Sequence, residues 1–423
     1  MSSLNKHFLV YTGQQEFTFD LLTVLNNANK GKNVFVSPFS IYQALLTAYF
    51  ISNKNTEANL KQVLRLPENL DKLDTMNVYK MEKLIQGLRA NADSGLTFTS
   101  TNKIFVNDKI PVKECMTAIF PSEIQSMDFG NEVEAARAIN SWVAQETKNN
   151  IKDLIATGQV NSRTNLVLVS KYLGRGRVRL FFNRNFLLLF PCSDGVWRSV
   201  RLSECESVSG IRLYSTCYWR WLVSTLASRL INLTIQYNCI GVYYYYYSPS
   251  SELNAHILEV PYKGGNMSMF FLLPPFASQD GVGDILAALK KDPTSFKRFT
   301  EDSQNLKPVE IAIPKFSLTQ EMNLIPTLSD LGVKDLFSPG ADLSRLTDSH
   351  IAFGDAVHKA RLDLDEQGTT AAAATAVFAF RSSRPLEPVR YEANHPFLYF
   401  LVDKEIQSIL FAGVFNEPPN KEV

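Results

Sequence analysis

No run of about 18 apolar residues occurs in this sequence, so no segment reads as a membrane-spanning helix. Cysteine pairs are also missing. Cys115, Cys192, Cys205, Cys217 and Cys239 form no C-x-x-C, which argues against a zinc ribbon or a dithiol motif and favours free buried thiols. His7, His256, His350, His358 and His395 are scattered without ligand spacing, and no metal or other cofactor is expected. There is no G-x-S-x-G, no Walker loop and no G-x-G-x-x-G, so no constellation supports an enzyme. With a net charge of +1 there is no general attraction to polyanions, and neither nucleic acid nor membrane is an expected partner. Near the start, His7 to Tyr11 is too short and mixed for the apolar region of a secretory signal. As written the chain is expected in the cytosol, and outside the cell if its true start lies upstream.

What is present is an ordinary globular composition, 45% apolar and 20% charged over 423 residues, enough to bury a sizeable core. Helical spacing runs through residues 14–29, 39–50, 56–64, 76–92 and 133–149, with Ala136, Ile139, Trp142 and Val143 on the apolar side of the last. Residues 282–300 also read as helix, and Leu324 to Leu331 as a helix closed by Gly332. Strands are expected at Asn33 to Val36, Leu96 to Val106, Leu166 to Val169, Ile257 to Val260, Met267 to Leu273 and Val309 to Ile313.

The middle breaks this pattern. From Tyr172 to Tyr262 there is no lysine, and between Leu173 and Ser251 the acids are Asp194, Glu204 and Glu206. Trp197, Trp219, Trp221 and four of the five cysteines gather here, five tyrosines run from Tyr243 to Tyr247, and no period persists. An arginine-aromatic nucleic-acid surface would need these residues on one face, and no such order is visible. Residues 170–251 therefore read as an aberrant segment, from a retained intron or a frameshift. Val169-Ser170 can be encoded by GTAAGT, a splice-donor sequence.

Several ordered motifs flank that segment. Asn33 to Ile41 reads NVFVSPFSI, and His358-Lys359 leads towards Asp365-Glu366-Gln367-Gly368-Thr369-Thr370-Ala371-Ala372-Ala373-Ala374-Thr375-Ala376. Asn394 to Leu398 and Ile409 to Val414, with Pro418, close the series. Residues 368–380 are small or apolar and carry no charge. Side chains alternate in a strand, so Thr369, Ala371, Ala373, Thr375 and Val377 would share one face, small enough to slide into an existing sheet. Gly368 gives a hinge with few backbone restrictions. Taken alone, the alanine run also fits a flexible linker or a surface helix.

Together these motifs resemble the serpin family of serine protease inhibitors, of arthropod inhibitory type, over about 25–169 and 252–418. The resemblance implies one α+β domain over 1–423, with three β-sheets, about nine helices and an exposed reactive-centre loop. It implies a monomer that is a suicide substrate and not an enzyme. A trypsin-like protease attacks the loop and forms a covalent acyl complex, and the loop then inserts into the main sheet. The hinge would comprise Glu366, Gly368, Thr369, Thr370, Ala371, Ala372, Ala373, Ala374 and Thr375. Ser37 and His358 would lie in the shutter, beneath the sheet opening.

Family spacing from Glu366 puts the reactive bond at Ser382-Ser383, and a loop one residue shorter puts it at Arg381-Ser382. Phe380-Arg381 would suit a chymotrypsin-like enzyme, and Pro385 blocks cleavage after Arg384. The choice stays open among the three bonds; Arg381 suits the buried acid of a trypsin-like pocket and is favoured.

Two alternatives remain: a non-inhibitory carrier or chaperone, against which the small uncharged hinge argues, and an inactive product of the altered middle. Departures from the family bear on the second. Ser170-Lys171 stands where the family has Asn-Ala, removing the asparagine that would partner His358, and the following motif lacks its tryptophan. A Gly-rich turn expected near Ser52 to Asn55 is altered too, and Thr370 replaces a glutamate at an outward position.

Overall fold

The computed structural model describes residues 3–90, 96–147, 149, 153–176, 187–191, 197–201, 242–262, 266–301, 306–314, 317–363 and 388–417. Helix α1 spans Ser3–Ala28 and begins well before the helical spacing read from residue 14; it sends Phe17, Phe19, Leu21 and Leu22 into the core. After strand β1 (Val34–Val36), Ser37 starts helix α2 (Pro38–Ile51). The Ser37 side chain accepts the Ser40 N–H, and Pro38 stands where a missing N–H costs nothing. Every residue of α2 is buried, as befits a helix that is apolar all round. It packs on both sheets of the body.

The elements that follow are α3 (Lys54–Val63), α4 (Lys72–Ala90), β2 (Leu96–Asn107), α5 (Glu114–Ile119), β3 (Ile124–Met127), α6 (Glu132–Glu146) and β4 (Leu166–Gly176). A hairpin of β5 (Leu187–Pro191) and β6 (Trp197–Arg201) precedes β7 (Val242–Ser250), β8 (Ala255–Pro261) and β9 (Met267–Leu273). The chain continues with α7 (Gly281–Lys291), α8 (Thr294–Glu301), β10 (Leu306–Ala312), β11 (Ser317–Asn323) and α9 (Leu324–Asp330). It ends with β12 (Phe353–Asp363), β13 (Val389–Glu392), β14 (Phe397–Asp403) and β15 (Ser408–Phe415). Among the described residues these make nine α-helices and three sheets: β1-β15-β14-β9-β8-β7-β10-β13, β11-β12-β4-β2-β3 and β5-β6.

Three readings from sequence need correction. The helix read over 282–300 is two helices, because Pro293 cannot continue the hydrogen-bond ladder and Asp292 caps the second by accepting the Thr294 N–H. The regular pattern does not stop at Val169: β4 runs on through Ser170 and Lys171 to Gly176, bonded to β12 and β2. Nor is the tyrosine run without period. In β7, Tyr245 and Tyr247 are buried while Tyr246 is half-exposed, and Tyr243 to Tyr246 pair with β10. One amphipathic residue type serves both faces of this strand, so alternation is invisible in its sequence. At the altered turn, Lys54 adopts φ +45°, a left-handed conformation that favours glycine.

The five-stranded sheet is covered on both faces at its centre. Leu166 and Leu168 of β4 join the main core on the α2 side. Val167, Val169, Phe105 of β2 and Val357 of β12 join a second cluster with Ile139 and Val143 of α6. Between β4 and β12 runs a parallel pairing, from Phe353 opposite Leu166 to Asp363 opposite Arg175, while their outer neighbours β2 and β11 are antiparallel to them.

Candidate functional site

That seam is where the singled-out residues meet. Ser37 and His358 are both fully buried, and the Ser37 N–H donates to His358 Nε2 at 3.2 Å. A backbone N–H can only donate, so Nε2 is the acceptor and the imidazole proton sits on Nδ1. Nδ1 lies 3.2 Å from Ser170 Oγ, to which it donates. Ser170 Oγ is 2.8 Å from Ser40 Oγ, and Ser40 Oγ donates to Asn102 Oδ1 at 3.0 Å, with Lys171 O at 3.2 Å as a second acceptor. Ser37 Oγ donates to Leu410 O at 2.7 Å. One directed chain of hydrogen bonds thus ties β12, β4 and β2 to the start of α2, and Ser37 extends it to β15.

Ser170 therefore takes the place of the asparagine whose absence the sequence suggests. Its hydroxyl accepts from His358 and passes its own proton on, so His358 keeps a partner on each nitrogen. Burial pushes the His358 pKa down to about 3, partly opposed by a hydrogen bond with Ser170. A proton added at Nε2 would face the Ser37 N–H, donor against donor.

The unfolded chain takes up a proton below about pH 6.5 and the folded chain does not, so His358 costs stability as pH falls from about 6.5 towards 3. Urea unfolding of the parent should show this loss on top of the carboxylate titrations. His358→Gln, which can accept and donate in the same directions, should lack the His358 component; equal slopes would refute the assignment. Ser170→Ala leaves the buried Nδ1–H without an acceptor and should cost about 1–3 kcal/mol in the same experiment.

The other singled-out residues are continuous with this site in sequence. The chain leaves β12 at Asp363 and re-enters the larger sheet at β13, which pairs in parallel with β10. Between them lie Glu366, Gly368, Thr369, Thr370, Ala371, Ala372, Ala373, Ala374, Thr375, Phe380, Arg381, Ser382 and Ser383, all outside the described residues. Reasoning from sequence missed Ser40 and Asn102, and took Ser170 for the loss of a partner where it supplies one. The available signal was a polar residue at a core-facing place in an apolar run, as Ser170 stands directly after Leu166 to Val169.

Among the described residues no group of three or more His, Cys, Asp or Glu side chains converges on a metal position, and no helix is long and apolar enough to cross a membrane.

A family model described as Serpin (serine protease inhibitor) matches residues 12–186 and 240–418. Serine protease inhibitor 88Ea of Drosophila melanogaster is 31% identical, with 98% of this chain and 92% of that protein aligned. Antichymotrypsin-2 of Bombyx mori is 28% identical, over 96% of this chain and 97% of that protein. Among solved structures, uncleaved ovalbumin shares the fold at 20% identity with a TM-score of 0.70, covering 97% of this chain and 100% of that one. Serpin48 of the insect Tenebrio molitor shares it at 22% identity and 0.67, covering 97% and 98%.

Proposed function

The chain belongs to the serpin family, and from that premise we propose that it inhibits a trypsin-like serine protease as a suicide substrate. The observation that carries this reading is the parallel β4–β12 seam at the centre of the five-stranded sheet, whose β12 immediately precedes the bait segment in sequence. A strand folding back from Asp363 would enter antiparallel to both β4 and β12. It would exchange one slanted parallel ladder for two antiparallel ones, which are more stable per residue. The small uncharged residues from Gly368 to Ala376 suit a gap whose two faces are covered by core and by α6.

The chemistry is that of an interrupted hydrolysis. The protease serine attacks the Arg381 carbonyl, the Ser382 amine leaves with a proton from the protease histidine, and an ester joins protease to Arg381. Insertion of the freed segment then competes with attack of water on that ester. Family members named as inhibitors, such as Antichymotrypsin-2, support the general activity. Arg381 supports the trypsin-like class, and the covalent complex is the family's mechanism carried over to this chain.

Mixing the chain with trypsin should give a band near the mass of trypsin plus the chain up to Arg381, and this band should survive boiling in detergent. Cleavage in the bait segment without that band would favour the non-inhibitory reading.

A further inference from the structure

Lys171 occupies a place that the inhibitory reading does not require to be charged. It is fully buried in β4, on the face that α6 covers. Its Nζ donates one long hydrogen bond, 3.4 Å, to Val143 O in the last turn of α6, and it lies 4.1 Å from the centre of the Trp142 ring on the same helix. An ammonium has three donors, and none of its contacts among the described residues is a salt bridge.

The surrounding charge is mixed. Lys103 of β2 stands over the same Trp142 ring at 4.7 Å. Lys359 of β12 is directly opposite Lys171 across the seam and is paired with Glu321 of β11 at 2.8 Å; Arg361 lies two places further along β12. The acid of α6 that acts on Lys171 is Glu146. On the other side of the sheet, α2 offers only the Ser40 hydroxyl, which touches the Lys171 carbonyl.

We propose that Lys171 is a proton-driven wedge beneath α6, whose charged form favours lifting of α6 and opening of the β4–β12 seam. The link from opening to bait insertion rests on the function proposed above; the lifting of α6 does not. The direction follows from burial. Desolvation lowers the Lys171 pKa to about 7, with Glu146 opposing and Lys103 adding to the shift. Once α6 lifts and water reaches the amine, its pKa returns towards 10.5. Opening therefore takes up a proton between about pH 7 and 10.5. Its equilibrium constant rises by up to about tenfold for each unit that pH falls through that window, and levels off below 7.

Two variants test this: Lys171→Met, which keeps the stem and removes the charge, and Lys171→Gln in case the first folds poorly. Hydrogen exchange of the α6 amides is compared between parent and variant at each pH from 7 to 9, so that intrinsic exchange cancels. The parent-to-variant ratio should fall by up to about tenfold per unit as pH rises, and a flat ratio overturns the proposal. The second measurement is the fraction of trypsin trapped rather than released at pH 7.5 and 9. The parent should trap the larger fraction at pH 7.5 relative to the variant. A moving exchange ratio with equal trapping slopes overturns the link to the seam. A moving ratio with no trapping by either protein supports lifting of α6 and tells against the inhibitor reading instead.

Discussion

Arg381→Ala is expected to slow trapping of trypsin by roughly thirty- to several-thousand-fold. The expectation rests on what the guanidinium meets. A trypsin-like pocket ends in a buried carboxylate, and truncating one partner of a buried charge pair costs about 2–5 kcal/mol, with about 1.4 kcal/mol per factor of ten. The change leaves the hydrogen-bonded chain at Ser37, Ser170 and His358 intact, so the unfolding midpoint should not move. The bond itself is read from the small peptide released on cleavage, whose first residue should be Ser382. A peptide starting at Ser383 or at Arg381 would move the bond, and an unchanged trapping rate in Arg381→Ala would remove Arg381 from the bait position altogether.

How far the fold could be read beforehand depended on whether its signals were local. Helix α2 was legible from the helical spacing of residues 39–50, and β9 from Met267 to Leu273, an almost wholly apolar run. The end of α9 was legible from Gly332, which takes φ +104°. Pairing was not legible. No local signal around Ser170 announces His358; the resemblance alone placed a partner for His358 at that position, and the two meet because β4 and β12 run parallel through the middle of one sheet. The edges of the 170–251 stretch were hidden for a related reason. Ser170 and Lys171 look foreign beside an apolar run, yet one joins a buried hydrogen-bond chain and the other sits beneath a helix. The family match ends at 186 and resumes at 240, and both β4 and β7 lie inside it. The aberrant segment over 170–251, from a retained intron or a frameshift, stands as a proposal.

Thr369→Arg should convert the chain from an inhibitor into a substrate, with cleavage after Arg381 unchanged and the trapped fraction down at least about tenfold. The geometry of the seam supplies the reason. A strand entering between β4 and β12 points alternate side chains to opposite faces, and near the sheet centre both faces are closed. One carries Leu166, Leu168, Ala356 and Ala360 against the main core, the other Val167, Val169 and Val357 against α6. Thr369 shares its face with Ala371, Ala373, Thr375 and Val377, so its arginine replacement must enter with that small-residue row. A charge taken into such a place without a partner costs several kcal/mol. Insertion then loses to attack of water on the acyl bond, because a barrier higher by about 1.4 kcal/mol already slows it tenfold. Thr369→Val, similar in size and uncharged, should keep trapping near the parent level and serves as the control. Trapping by Thr369→Arg equal to the parent's would mean that this side chain never enters the sheet, and the face assigned to Thr369 would be wrong.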